Sequence, residues 1–198
     1  MIELSVALIV FLFPLAYSPG PGNMFFAANG ARFGVRATIP ANTGYHVATW
    51  LVTTAIGFGF TAAMDRAPAL FVAIKFAGSA YVLYLAWKLV RSGALEGSEE
   101  ARPAGFTGGV LLLLLNPKAY LIITLMFSQF LVGTSLGRTG TVLWISTLFT
   151  LNNLVAFLAW TIVGDRIAAT FRDQTHARRL NLVFGLILAT VAVWMLVG

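Results

Sequence analysis

The stretch "SPGPGN", residues 18–23, interrupts a strongly apolar run, with "LSVALIVFLFPLAY" before it and "MFFAA" after it. Proline lacks a backbone N–H and its ring clashes with the preceding helical turn, so two prolines alternating with two glycines predict a broken helix. The break frees backbone amides and carbonyls that need partners. Inside a membrane, such backbone is tolerated only where protein buries it or where it lines a wet cavity.

The composition around this stretch is that of a membrane protein. Of the 198 residues, 59% are hydrophobic and 10% are charged, whereas soluble domains carry about 25% charged residues. Lipid is therefore expected to be the solvent for most of the chain. The absence of cysteine excludes disulfides, thiolate metal sites and dithiol electron transfer. The basic residues behind the formal charge of +6 lie in short loops beside apolar segments, so this charge does not indicate nucleic-acid binding.

Six segments are long enough to cross a bilayer, which takes about 20 helical residues. The sequence predicts an all-α polytopic membrane protein with six transmembrane helices, the first and fourth of which are broken at proline motifs. The first is expected to be a retained span, because it lacks the basic start and cleavage site of a signal peptide. The predicted spans are residues 4–28, 39–64, 69–90, 110–131, 141–163 and 180–197.

The loops differ in charge, which predicts an orientation. Nine basic residues belong to the first, third and fifth loops and three to the second and fourth, so the odd loops are expected in the cytoplasm and both termini outside. The nine are Arg32, Arg36, Lys88, Arg91, Arg102, Arg166, Arg172, Arg178 and Arg179, and the three are Arg66, Lys75 and Arg138.

A polar cytoplasmic linker, residues 92–105, divides the single transmembrane domain, residues 1–198, into two halves. Each half, residues 1–91 and 106–198, holds three spans. An odd number of spans inserts the halves in opposite senses, so the expected architecture is two inverted three-helix repeats. The breaks correspond: "SPGPGN" lies in the first span of one half and "NPK", residues 116–118, in the first span of the other.

Lys118 is the most informative single residue because a charged side chain inside a membrane usually marks a transport pathway. Snorkelling of its long stem to the cytoplasmic interface is the alternative. All seven acidic residues lie in termini, loops or span ends. A carboxylate partner for Lys118 is therefore expected to arrive on the substrate.

Further polar residues lie within the predicted spans. Asn23 adjoins the first break and is a candidate ligand. His46 is a candidate for proton coupling, although a neutral imidazole bonded to a nearby carbonyl explains it equally well. Asn42, Asn152 and Asn153 are candidates for lining a cavity, with hydrogen bonding between helices as the structural alternative. Gly44 and Ala48 form a small face that favours close helix packing.

Known catalytic patterns are missing: there is no HExxH, GxSxG, GxxxxGK[ST] or GxGxxG. With two histidines and no carboxylate inside a span, the sequence offers almost no material for a metal site or an acid–base pair. We therefore expect no enzymatic activity, no catalytic residues, no metal and no cofactor.

The two proline motifs, together with "GARFGVRATIPANTG" and "FTGGVLLLLLNPKAYLIITLMFSQF", resemble the LysE/RhtB family of bacterial amino-acid exporters over essentially the whole chain. The resemblance implies an exporter of amino acids in the bacterial inner membrane, driven by the proton gradient. Its motifs fall on residues that would bind the substrate: Pro19, Gly20, Pro21, Asn23, Asn116, Pro117 and Lys118.

One departure from the family pattern bears on the substrate. Many similar chains carry an acidic residue in the fifth span, where this chain reads "TLNNLVAF" with Asn152 and Asn153. A dicationic substrate such as lysine would meet no anion there. A neutral amino acid of the homoserine, threonine or leucine type fits better, with its carboxylate near Lys118 and a helix N-terminus.

The leading hypothesis is therefore a proton-coupled exporter of a neutral amino acid that works by alternating access. An exporter of another small metabolite or organic anion is the alternative that Lys118 equally allows. A non-transporting membrane scaffold is a second class, and a membrane enzyme a third. The expected partners are the amino acid, protons and the lipid bilayer, and the glycine-rich spans favour a homodimer without fixing its interface.

Overall fold

A computed structural model describes residues 2–60, 102–131 and 137–170 continuously, together with residues 76, 80, 83, 84, 86, 87, 90, 182, 183, 185, 186, 189, 190 and 193. The predicted third span, sixth span and linker fall almost wholly outside the described residues. The full six-span inverted repeat therefore stays a prediction. What the structure does describe is the first, second, fourth and fifth predicted spans.

All regular secondary structure in the described part of the chain is helical. Two helices each begin at a proline inside one of the two proline motifs. The helices are α1 (Ile2–Tyr17), α2 (Pro21–Phe33), α3 (Val35–Ala55, continued by a π-helical turn over Ile56–Phe60), α4 (Phe106–Leu114), α5 (Pro117–Phe130) and α6 (Gly137–Thr170).

The first and fourth predicted spans are broken where the sequence predicts. The α1/α2 pair bends by 63° and so does the α4/α5 pair. Pro21 and Pro117 each occupy the first position of the helix after the break, where the missing N–H costs no intrahelical bond. Pro14 and Pro40 lie inside α1 and α3 without ending them. An isolated proline is thus accommodated, whereas the two motifs end a helix.

The described helices include membrane-spanning material. Gly137–Ala168 is long and apolar enough to cross a bilayer by itself, and each bent pair meets the same criterion when its two helices count as one span. α6 has 34 residues and so extends beyond the predicted residues 141–163 at both ends. The hydropathy pattern underestimates the length of this helix, because backbone hydrogen bonding continues into its polar ends.

α3 is less apolar than the other spans because one of its faces is polar. Five polar side chains recur at intervals of three or four residues, which places them on one side of the helix. All five are buried, so this side faces protein rather than lipid. The residues are Thr38, Asn42, His46, Thr49 and Thr53.

Large apolar side chains cover the outside of the bundle. Val10, Leu51, Leu121 and Val155 are 67%, 56%, 54% and 56% exposed. A soluble monomer rarely presents so many on several helices, whereas lipid acyl chains suit such a surface. The exposure pattern therefore agrees with the membrane environment that the composition predicts.

α3 and α4 pack with their backbones nearly in contact. A β-carbon added to Gly44 would overlap the carbonyl oxygen of Phe106, and one added to Gly109 would overlap the carbonyl oxygen of Ala41. Only glycine permits this approach, since any side chain at these points would push the helices apart. The predicted small face of α3 is confirmed at Gly44.

α2 and α6 meet in the same way. A β-carbon on Gly30 would overlap the carbonyl oxygen of Thr161, and one on Gly164 would overlap that of Ala27. These two glycine contacts hold the helix after the first break against α6. The two close crossings, α3/α4 and α2/α6, lie at the same end of the bundle in the predicted topology, the cytoplasmic end.

Substituting Gly109 by alanine tests the close crossing of α3 and α4. We expect Gly109→Ala to lower the free energy of unfolding by about 1–3 kcal/mol, because a methyl group there overlaps backbone that cannot rotate away. The measurement is the midpoint of thermal unfolding in detergent, where each kcal/mol corresponds to roughly 2–4 °C for a chain of this size.

Gly108 provides the matched control on the same helix. Among the described residues, a β-carbon there would meet just the β-carbon of Ala104, at 3.5 Å, which is ordinary van der Waals contact. Gly108→Ala should therefore leave the midpoint unchanged or raise it slightly. Equal midpoints for the two variants would contradict the close packing.

Candidate functional site

Lys118 of the second break bonds directly to the first break. Its Nζ donates to the carbonyl oxygen of Ser18 at 3.0 Å, to the hydroxyl oxygen of Ser18 at 3.0 Å and to the carbonyl oxygen of Pro19 at 3.4 Å. Its stem is thus directed at the backbone of residues 18–19. Among the described residues, the three partners of this ammonium are all neutral oxygens.

The first break interrupts helical bonding, yet each carbonyl from Pro14 to Gly20 accepts a hydrogen bond, the first and last from the usual helical N–H. A membrane interior supplies no water to replace a missing bond, so each carbonyl needs a donor from the protein. The donors are Ser18 N to Pro14 O (3.2 Å), Ser18 Oγ to Leu15 O (3.2 Å), Asn23 Nδ2 to Ala16 O (2.8 Å), Trp160 Nε1 to Tyr17 O (3.2 Å), Lys118 Nζ to Ser18 O and Pro19 O, and Met24 N to Gly20 O (2.9 Å).

Three of these donors are side chains of helices that meet at the break. Asn23 belongs to α2, Trp160 to α6 and Lys118 to α5. The conformation of residues 18–20 is therefore fixed by three helices at once. A change in the partner of any one donor changes the hydrogen bonding of the break.

The second break uses a different set of partners. The hydroxyl of Tyr120 donates to the carbonyl oxygen of Leu114 at 3.1 Å. Asn116, which precedes α5, makes no side-chain cap bond to that helix. Instead its Nδ2 donates to the hydroxyl oxygen of Tyr45 in α3 at 3.0 Å. Tyr45 thus links the polar side of α3 to the second break.

A small cavity of about 20 Å³ lies between the two breaks. A volume of this size holds about one water molecule, whereas sites for small molecules usually measure about 300–1,000 Å³. The described conformation is therefore closed around its polar centre. The cavity is lined by Leu15, Ala16, Asn23, Tyr45, Thr49, Leu113, Asn116, Lys118, Ala119, Ile122, Phe149, Asn153 and Phe157.

Phe157 of α6 forms a rigid part of this wall. Its ring centroid lies 4.7 Å from that of Tyr45, 5.1 Å from that of Phe26 and 5.3 Å from that of His46. These separations are those of favourable aromatic pairs. The same ring covers Gly22, where a β-carbon would overlap it. A glycine in the first break is thus required for α6 to approach.

Asn42 and His46 do not line the central cavity. They belong to the wall of a larger, mainly apolar groove of about 490 Å³ between α3 and α6, together with Trp50 and Thr147. The Nδ1 of His46 is 2.8 Å from the carbonyl oxygen of Asn42. Its Nε2, and both amide atoms of Asn42, have no hydrogen-bond partner among the described residues.

The structure brings some of the predicted site residues together and separates others. Asn23, Asn116, Lys118 and Asn153 share the central cavity. Gly20 packs against the stem of Lys118, since a β-carbon there would lie 3.0 Å from its Cδ. Pro19 contributes its carbonyl oxygen, and Pro21 and Pro117 begin their helices. Asn152 is half-buried beside Asn153 and does not line the cavity.

Three residues of the site are not predicted from the sequence: Tyr45, Phe157 and Trp160. Tyr45 is detectable in principle, because it lies on the same side of α3 as the buried polar residues at Asn42 and Thr49. Phe157 and Trp160 have no such signal, since aromatic residues are common in apolar spans. In the described part of the chain, no cluster of His, Asp and Glu residues is suited to a metal ion.

Comparison with known proteins agrees with these features. The model of the family described as LysE type translocator matches residues 13–198. The chain is 28% identical to the cysteine/O-acetylserine efflux proteins of Escherichia coli (strain K12) and Salmonella typhimurium (strain LT2), over 182 residues that cover 90% of both proteins in each case.

No solved structure matches the chain. The family match nevertheless covers both proline motifs, all the described helices beyond residue 13 and every residue of the central cavity. The chain therefore belongs to the family of LysE type translocators, which are polytopic membrane proteins.

Proposed function

We propose that this protein exports a neutral amino acid across the bacterial inner membrane by alternating access, with coupling to protons. The observation that carries the proposal is the bridge from Lys118 to Ser18 and Pro19, in which every partner of the ammonium among the described residues is a neutral oxygen. A substrate carboxylate is a stronger partner for an ammonium than any of these oxygens. Substrate binding would therefore take Lys118 from the first break.

Exchange of that partner would couple binding to a change of shape. Lys118 supplies the bonds to two carbonyls of the first break, and those carbonyls need new partners once it turns to the substrate. The break would then change its backbone conformation, and α2 would move relative to α1. A ligand shifts a conformational equilibrium only through such a difference in contacts between two states.

The side chains of the cavity favour a neutral amino acid over a dicationic one. Asn23, Asn116 and Asn153 are uncharged, and no carboxylate lines the cavity among the described residues. A second positive charge on the substrate would therefore lie unpaired beside Lys118, at a large electrostatic cost. The relatives named for efflux of cysteine and O-acetylserine support the same choice, since both compounds are neutral amino acids.

Proton coupling is assigned to His46, the one histidine among the described residues. Its Nδ1–H donates to the carbonyl oxygen of Asn42. Its Nε2 has no hydrogen-bond partner among the described residues and can accept a proton. The ring contacts Tyr45 on its own helix and Phe157 of α6. Among the described residues that face it, Tyr45 is the one with an ionisable side chain, and no charged group lies beside it.

Loss of the charge at position 118 tests the role of Lys118. We expect Lys118→Ala to reduce amino-acid efflux from loaded proteoliposomes by about a hundredfold or more, because an ion-paired contact to the substrate contributes about 3 kcal/mol. Lys118→Gln, which keeps a donor for the first break without the charge, should lose efflux while its thermal midpoint stays nearer to that of wild type.

Arg138→Ala is the control, since Arg138 is an exposed cation outside the cavity. Its efflux should equal that of wild type. Efflux that persists in both Lys118 variants would contradict the anchoring role. Failure of the wild-type protein to release any amino acid would instead favour the non-transporting scaffold.

A pH gradient tests the coupling. An antiporter of amino acid against protons should release substrate several-fold faster when the outer buffer is made one pH unit more acidic than the inside, because inward proton flow then drives export. His46→Asn should lose this acceleration and keep exchange driven by the substrate gradient. Efflux of wild type that ignores the gradient, or a His46→Asn variant that still responds, would exclude this role of His46.

A small organic anion is the second candidate substrate. Lys118 would bind its carboxylate as it would that of an amino acid. The two candidates differ only in the α-ammonium group, so a residue that recognises this group would separate them.

A further inference from the structure

One polar atom of the Asn116 side chain, Oδ1, has no hydrogen-bond partner among the described residues. Asn116 occupies the position before α5 where an asparagine side chain normally caps the helix, yet it makes no such bond. Its side chain turns to α3, and Nδ2 donates to the hydroxyl of Tyr45 at 3.0 Å. The other amide atom, Oδ1, is buried and has no hydrogen-bond partner among the described residues.

A buried acceptor without a donor destabilises the protein unless something else bonds to it. Asn116 is 4% exposed and belongs to the wall of the central cavity. The described backbone N–H groups of the two breaks do not supply the missing donor, since they bond to other carbonyl oxygens. The cavity therefore presents one unpaired acceptor in addition to the ammonium of Lys118.

Tyr45 bonds to one of the two amide atoms of Asn116 and leaves the other unpaired. Its phenol is 2% exposed and is enclosed by the rings of Phe26 and Phe157, with centroids at 6.1 Å and 4.7 Å. The side chain of Asn153 lies beside the same hydroxyl. The phenol oxygen is therefore held in place, and in the observed arrangement it accepts from Nδ2, which leaves Oδ1 unpaired.

We propose that Oδ1 of Asn116 receives the α-ammonium group of the exported amino acid, and that Tyr45 is the positioning residue for that contact. The inference rests on the proposed export of amino acids and names how the amino group is recognised. An ammonium has three donors and no acceptor, so a carbonyl oxygen is its proper partner. Lys118 repels it and attracts the carboxylate, which orients the zwitterion between the two residues.

This arrangement discriminates against organic anions. A ligand with a carboxylate and no ammonium would bond to Lys118 and leave Oδ1 of Asn116 buried without a donor. Sites built to bond a polar group reject analogues that lack it much more strongly than apolar pockets reject a missing methylene. Asn116 would thus exclude the anions that Lys118 alone would accept.

Competition between serine and glycerate tests the inference, because glycerate carries a hydroxyl group where serine carries the ammonium. The assay measures how strongly each unlabelled compound inhibits counterflow of labelled serine in proteoliposomes. Wild type should prefer serine at least tenfold. Asn116→Leu should reduce this ratio to nearly one by weakening serine alone, whereas Asn116→Asp, which keeps an acceptor, should retain the preference.

Tyr45→Phe tests the positioning role. Removal of the hydroxyl should raise the KM for serine several-fold and leave inhibition by glycerate and the maximal rate nearly unchanged, because the amide is then free to rotate. Tyr120→Phe is the matched control: it removes a buried hydroxyl that bonds to the Leu114 carbonyl and lies outside the cavity wall. It should keep the wild-type ratio.

The outcomes separate the inference from the proposed function. Serine transport with an unchanged serine-to-glycerate ratio in Asn116→Leu would overturn the ammonium contact and leave amino-acid export standing. A ratio that falls equally in Tyr45→Phe and Tyr120→Phe would overturn the positioning role. Transport of glycerate without serine by wild type would contradict the proposed function itself.

Discussion

The need to bond every backbone carbonyl inside a membrane is the constraint on which this structure depends. The alternating prolines and glycines of residues 18–23 end α1 and leave carbonyls without helical donors. Side chains of α2, α5 and α6 supply bonds to these carbonyls, and Lys118 of α5 supplies two of them. Because Lys118 belongs to both breaks, a ligand that took it as a partner would remove two of these bonds from the first span.

Glycine has a second, separate role at the helix crossings. The α3/α4 and α2/α6 pairs approach so closely that a β-carbon would overlap backbone atoms. A separate core cluster is held by apolar side chains such as Leu12, Ile123 and Phe149. Backbone contacts of the first kind are rigid, whereas side-chain packing can rearrange at lower cost. The two regions thus differ in the kind of contact that holds them together.

The sequence predicts the parts of the site that depend on local chemistry. Proline and glycine spacing locates both breaks, and the rarity of charge inside membranes selects Lys118. The partners of these residues depend on how helices cross, which no local pattern encodes. Phe157 and Trp160 are therefore missed. Asn42 and His46, which the sequence offers as candidates for cavity lining and proton coupling, line a different groove from the cavity beside Asn23. Helix ends are also underestimated, because hydropathy falls before backbone hydrogen bonding stops.

The central claim is that a substrate carboxylate takes Lys118 from the first break. An experimental structure of the protein in lipid with an exported amino acid bound tests it most directly. The account predicts that Nζ of Lys118 lies within hydrogen-bonding distance of the substrate carboxylate and has left the carbonyl oxygens of Ser18 and Pro19. A bound amino acid with Lys118 still on both carbonyls, and no contact between its Nζ and the carboxylate, would contradict the account.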